Sequence, residues 1–157
     1  MLQKYLLIFL VSMVPLIELR GSIVMAVHMD LHYFTALAVS VLGNMLPVPV
    51  IYFFARKVLE WGKDKRYIGG FFTFCLEKGE KAGRKLTATA GRGGLFVALM
   101  LFVGIPLPGT GAWTGTLAAS FLNMGIKNTT LSVCLGVIIA GIIMGAASLA
   151  GVHIFGL

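Results

Sequence analysis

The sequence predicts an all-α integral membrane protein of two inverted repeats. Each repeat is a re-entrant helical hairpin followed by one transmembrane helix, with a cytoplasmic or interfacial amphipathic helix between the two. Three observations lead there. The 157-residue chain is 58% hydrophobic and 12% charged, against roughly 25% charged in soluble domains, and its mean hydropathy is +0.93. Its first apolar segment is interrupted by Pro15-Leu16-Ile17-Glu18-Leu19-Arg20-Gly21 and its third by Pro106-Leu107-Pro108-Gly109-Thr110-Gly111. Between these breaks the charges are concentrated: ten Lys/Arg and four acids lie from Arg56 to Arg92, giving six of the formal seven net positive charges. Paired interruptions in corresponding membrane segments point to a transporter binding site.

The uncharged gaps set the elements in order. Thirteen residues separate Lys4 from Glu18 and nine separate Arg20 from Asp30, so residues 1–30 read as the first re-entrant hairpin. Leu6–Val14 is one arm, Pro15–Gly21 the tip, and Ser22–Met29 the second arm. Twenty-five residues lie between Asp30 and Arg56, which suits one transmembrane span over 31–55. Pro47 and Pro49 kink that span near its inner end. Residues 56–94 form the basic loop, in which the pairs Glu77/Lys81 and Glu80/Arg84 support an amphipathic helix after Phe71. Next come 34 uncharged residues, Gly93 to Ile126. As one straight helix they would extend about 51 Å, well past a core of about 30 Å. Two half-helices meeting at Pro106–Gly111 fit better, so 95–126 reads as the second hairpin. A second span over 128–151 completes one membrane domain over 1–157. Val14-Pro15-Leu16 lines up with Ile105-Pro106-Leu107, and the order of hairpin then span repeats.

The basic loop sets the orientation. Short Lys/Arg-rich connections stay cytoplasmic, which makes the chain multi-pass with the 56–94 loop inside and both termini outside. Four full crossings with both termini inside satisfy the same rule, but they leave the breaks unexplained. A cleaved signal peptide over 1–21 conflicts with Glu18 and Arg20 in its cleavage region. Nucleic-acid binding is not expected, because acids are interspersed in the basic block and its flanks are apolar. Cys75 and Cys134 match no metal or redox spacing. No cofactor, no metal and no enzymatic activity are expected, since neither a nucleophile set nor a nucleotide motif is present.

Glu18 and Arg20 are the first candidate site residues, because ionisable groups at membrane depth are expensive and default to function. A carboxyl group in a low-dielectric site can carry a proton, while Arg20 presents a planar fork suited to phosphate or carboxylate. The structural alternative is an ion pair that holds the tip together. At the second break, Pro106, Pro108, Gly109, Thr110 and Gly111 prevent regular helix and leave backbone groups free to bind ligand. A half-helix starting near Thr110 would aim its positive end at an anion. Trp113 either stacks on a substrate or packs the tip. Pro15, Gly21, Asn44 (an interhelical hydrogen-bond donor) and Arg92 (a phosphate contact or interfacial anchor) are secondary candidates. His28-x-Asp30-x-His32 falls at a turn, where polar residues are expected without a metal. Gly141-x-x-x-Gly145 offers a smooth face for packing within the chain or between two copies, and a homodimer is expected.

Pro15-Leu-Ile-Glu-Leu-Arg-Gly21, Gly43-Asn44 and Ile105-Pro-Leu-Pro-Gly-Thr-Gly-Ala-Trp-Thr-Gly115 resemble the small multidrug export family of bacteria and archaea, over nearly the whole chain. That family is similar in layout to the DedA membrane proteins, whose two re-entrant hairpins face each other. The DedA resemblance implies transport linked to the proton motive force, with lipid-phosphate flipping the leading activity, and by position Glu18 matches an acid of the first DedA hairpin. The second hairpin departs from DedA, which has arginines where this chain has Gly-Thr-Gly-Ala-Trp. Lipid-phosphate recognition would then fall to Arg20 or Arg92. The expected function is proton-coupled transport of a small or amphipathic substrate, anions included, between the two tips in the lipid bilayer. A lipid flippase or scramblase and a non-transporting membrane scaffold are the alternatives.

Overall fold

The computed structural model describes residues 1–15, 17–62 and 94–155, and between them only positions 69, 70, 73, 74, 77, 81, 84 and 88. Arg92 and most of the expected amphipathic helix lie outside the described residues. The chain runs through α1 (Leu2–Met13), α2 (Glu18–His28), α3 (Tyr33–Met45), α4 (Pro47–Val50), a π-helical turn (Ile51–Ala55) and α5 (Arg56–Gly62). It continues with α6 (Leu95–Gly104), α7 (Ala112–Phe121) and α8 (Ile126–Phe155). No strand occurs among the described residues.

Length sorts these helices into two kinds. The continuous apolar stretch Tyr33–Phe54 has 22 residues and Ile126–Gly151 has 26, about 33 and 39 Å at the helical rise, enough to cross a hydrocarbon core. The arms α1, α2, α6 and α7 have only 10 to 12 residues, about 15–18 Å, or half of that thickness. Both leading arms stop for the same local reason. Val14 and Ile105 each precede a proline and are extended, with φ/ψ of −73°/127° and −81°/118°, because a proline ring excludes its predecessor from helical geometry.

Each arm pair folds back on itself. Lys4 Nζ donates to the Met29 carbonyl at 3.0 Å, tying the start of α1 to the end of α2. In the second pair, a Cβ on Gly115 would meet Val103 and Leu99 of α6. Across the molecule the contacts are exchanged in parallel. α1 packs on α3 and α6 on α8, while α2 packs on α8 and α7 on the π-turn of the first span. The main core reflects this exchange, joining Leu19 and Ile23 of α2, Val48, Leu99 and Val103 of α6, Ala112 and Ala118 of α7, and Val133 and Val137 of α8.

Polar side chains are buried alongside the apolar core, and many large apolar side chains lie on the surface. Buried positions include Ser12, Glu18, Ser22, Ser40, Asn44, Thr116, Thr129 and Ser132, while Leu2, Leu6, Phe34, Leu42, Phe53 and Leu149 are exposed. In lipid there is no hydrophobic gain from bringing helices together, so close contact and interior polar groups take its place. Small residues make the close contacts. A Cβ on Gly43 would collide with Ser12 Oγ and the Phe9 carbonyl, which brings α3 onto α1. Gly141 lies against Leu37 and Leu19, and Gly145 against the Tyr33 ring; Tyr33 Oη donates to the Gly141 carbonyl at 3.1 Å. The Gly141–Gly145 face is therefore used within the chain.

One expectation for these elements needs correction. The first tip is shorter than Pro15–Gly21, since α2 already begins at Glu18. Asn44 is buried at 2% exposure, and its acceptor Oδ1 has no hydrogen-bond partner. At Pro47 and Pro49, where a kink is expected, the span passes into the π-helical turn. Pro47 and Pro49 lack amide hydrogens, and the ladder after them slips into the π-turn. Tyr52 in that turn gives its carbonyl to Ser120 Oγ at 2.8 Å and accepts the Gly125 amide on its hydroxyl at 3.1 Å.

Candidate functional site between the two breaks

A helix begins with amide hydrogens that lack partners and ends with carbonyls that lack partners. In a bilayer core no water is on hand to satisfy such groups. The second break exposes both kinds within a few residues, the end of α6 and the start of α7. Residue Gly111 precedes α7 and has no side chain with which to cap it. Glu18, 94 residues earlier, supplies the cap. Its Oε2 accepts the Ala112 amide at 3.2 Å and its Oε1 accepts the Trp113 amide at 3.1 Å. A carboxylate at a helix N-terminus is favoured twice, by charge-assisted hydrogen bonds and by the helix dipole.

Arg20 serves the other end. Its Nη1 donates to the Leu107 carbonyl at 2.9 Å, and its Nη2 to Thr110 Oγ1 at 2.8 Å. Longer contacts of 3.3 Å run from Nη2 to the carbonyls of Val103 and Ile105. A cation is placed where the dipole is negative and carbonyl oxygens collect. Glu18 and Arg20 make no ion pair with each other among the described residues. Two positions apart at the start of α2, they point in different directions and clamp the second break from both sides. The clamp is held under backbone strain, since Glu18 sits at φ +50°, a left-handed conformation that costs a non-glycine residue of order 1–3 kcal/mol.

The other sequence-derived candidates divide around this clamp. Thr110 contributes its hydroxyl, Trp113 its amide, and Gly111 is buried so closely under Glu18 that a Cβ would strike the carboxylate. Pro108 and Gly109 lie on the exposed rim, and Pro106 is half-buried. Pro15 is exposed at the first break, Gly21 faces Ile17, and Asn44 makes no contact with the clamp that a hydrogen bond records. His28 and His32 take local partners, the Val24 carbonyl and Thr35 Oγ1, and no group of metal-ligating side chains occurs among the described residues. The helix end expected to receive an anion therefore already carries one, the chain's own Glu18.

Sequence reasoning singled out Asn44 and Trp113 but passed over three other buried polar residues, Ser40, Thr116 and Ser132. Ser40 Oγ, Asn44 Oδ1, Trp113 Nε1, Thr116 Oγ1 and Ser132 Oγ are buried and unpartnered. Their signal was present as polar residues at helical spacing inside apolar runs, as in Ser40/Asn44 and Thr116/Ser120. An unsatisfied buried hydroxyl costs about 1–3 kcal/mol. Thr116→Val is accordingly expected to leave thermal stability in detergent unchanged or raise it by up to about 1 kcal/mol. A clear loss of stability would mean that water fills the interior at Thr116.

Two membrane-length apolar helices, large apolar side chains on the surface and a charged clamp between two broken helix pairs define the class, a helical integral membrane protein. The family description "Putative small multi-drug export protein" matches residues 18–143, from Glu18 through most of α8, and the chain belongs to that family. The description is that of a transporter rather than an enzyme. No curated protein and no solved structure matches the chain.

Proposed function

We propose that this protein is a proton-coupled exporter whose substrate passes between the two breaks, with Glu18 as the proton carrier. In this reading the short arm pairs are re-entrant hairpins meeting at mid-membrane, the two halves are inverted repeats, and the basic 56–94 loop is cytoplasmic. The observation that carries the proposal is the seating of Glu18 and Arg20, from one hairpin, on the two open helix ends of the other. The half-length of the arms and the exchanged packing of α2 and α7 support the same arrangement.

The chemistry follows from the clamp. As a carboxylate, Glu18 accepts two amides with two oxygens and holds the start of α7. When it takes a proton, the charge that favours the helix end disappears, and one oxygen becomes a donor facing an amide donor. The hold on α7 weakens, and the two tips can separate. Deprotonation restores it, so each opening is tied to one proton.

The test is a flux assay on purified protein in liposomes with an imposed pH gradient, reading both a fluorescent cationic drug and a labelled anionic lipid. Gradient-driven drug flux in the wild type that falls at least tenfold in Glu18→Gln supports the proposal. Unchanged flux in Glu18→Gln sinks the coupling role. Movement of lipid alone would transfer the site to lipid flipping.

A further inference from the structure

The acceptors around Arg20 form a cage that does not need Arg20 in order to exist. Within the break, the Leu107 amide donates to the Ile105 carbonyl at 2.8 Å and the Thr110 amide to the Leu107 carbonyl at 3.1 Å. Thr110 Oγ1 lies 3.0 Å from the Ile105 carbonyl and 2.8 Å from the Leu107 carbonyl. The proline rings of Pro106 and Pro108 fix two further backbone angles. The loop is thus shaped by its own residues, and its oxygens stay gathered whoever occupies them. Arg20 comes from 83 to 90 positions away, on the other hairpin. It is only half-buried, and the rim beside it, Ile105 at 45% and Leu107 at 56% exposure, is open.

We propose that the tip of the second hairpin is a binding site for small planar cations of the guanidinium or amidinium class, filled in this structure by Arg20 as a tethered occupant. The inference rests on the reading of the tips as the transport site and gives it a substrate class. The chemistry of the cage selects that class. Its partners are all oxygen acceptors, arranged to receive N–H groups from two nitrogens of one planar fork. A quaternary ammonium has no N–H to offer, and a single ammonium cannot present two donors from separate nitrogens. An anion is disfavoured, because the cage collects carbonyl oxygens and the helix amides nearby are held by Glu18. A free planar cation that takes the cage displaces Arg20, and Glu18, two residues away in the chain, leaves a counter-charge nearby. Substrate entry and release of the clamp are then the same event.

The experiment uses Arg20→Ala, purified in detergent and melted in millimolar chloride salts of guanidinium, methylguanidinium, tetramethylammonium or sodium at equal ionic strength. The variant is expected to melt about 5–10 °C below wild type, as the loss of charge-assisted hydrogen bonds implies. Guanidinium and methylguanidinium should restore at least half of that, and the other two ions should restore none. Equal recovery by all cations, or by none, overturns the proposal. A second measurement, independent of the variant's folding, follows uptake of labelled guanidinium into liposomes containing wild type. Competition by methylguanidinium and not by tetramethylammonium supports the site; absence of guanidinium uptake together with absence of rescue overturns it. Rescue without any uptake would leave the cage standing and sink the transport reading. Uptake of bulky cations without guanidinium competition or rescue would do the reverse.

Discussion

Glu18→Leu is expected to destabilise the protein by about 3–6 kcal/mol, the largest loss from a single substitution in the chain. It orphans the amides of Ala112 and Trp113, each costing about 1–3 kcal/mol when buried without a partner. It also removes a charge from a helix end, worth up to about 2 kcal/mol when partly buried. Glu18→Gln should cost less, about 1–3 kcal/mol, because one oxygen still accepts while its NH2 group faces the other amide. Thermal or denaturant unfolding in detergent checks the order, with Leu worse than Gln and both worse than wild type. Equal stability of all three would show that water reaches the start of α7 and that the carboxylate is not what holds it.

For Gly111→Ala the expected loss is about 3–5 kcal/mol, from two sources. Gly111 has φ +144°, a region open essentially to glycine alone, and an alanine there is strained by about 1–3 kcal/mol. The added methyl would also strike the Glu18 carboxylate and push it off the two amides. Gly125→Ala separates the sources. Gly125 also has positive φ, +77°, but nothing lies within 4 Å of its would-be Cβ, so only strain of about 1 kcal/mol is expected. Comparable losses at the two positions would mean that Glu18 tolerates displacement. In proteoliposomes, Gly111→Ala should lose gradient-driven flux and Gly125→Ala should keep it.

Much of the helix plan was legible in the sequence, because its signals are local. Proline excludes helix at the residue before it, and both leading arms end on such residues, Val14 and Ile105. Charge gaps gave the two membrane-length stretches. The extent of the first tip was not legible, since charges at membrane depth look like an irregular segment until their partners are known. Glu18 and Arg20 open α2, Glu18 in a left-handed conformation, with their charges balanced by helix ends 83 to 95 positions away. The same distance hid the fact that the N-terminus of α7 is already occupied. The Gly141–Gly145 face could not be assigned to Tyr33 rather than to a second copy, because spacing describes a surface and not what covers it.

The clamp also has an order in time. Synthesis delivers Glu18 and Arg20 into the first hairpin long before Leu107, Thr110 or Ala112 exist. In the proposed arrangement, until α6 and α7 arrive, the nascent N-terminal half carries two uncompensated charges at a depth where each costs several kcal/mol. The early half therefore stays near the membrane–water boundary or within the insertion machinery, and settles only when the late half caps it. Insertion of the two halves is one coupled event, and a chain truncated before Thr110 has no stable resting place in the bilayer.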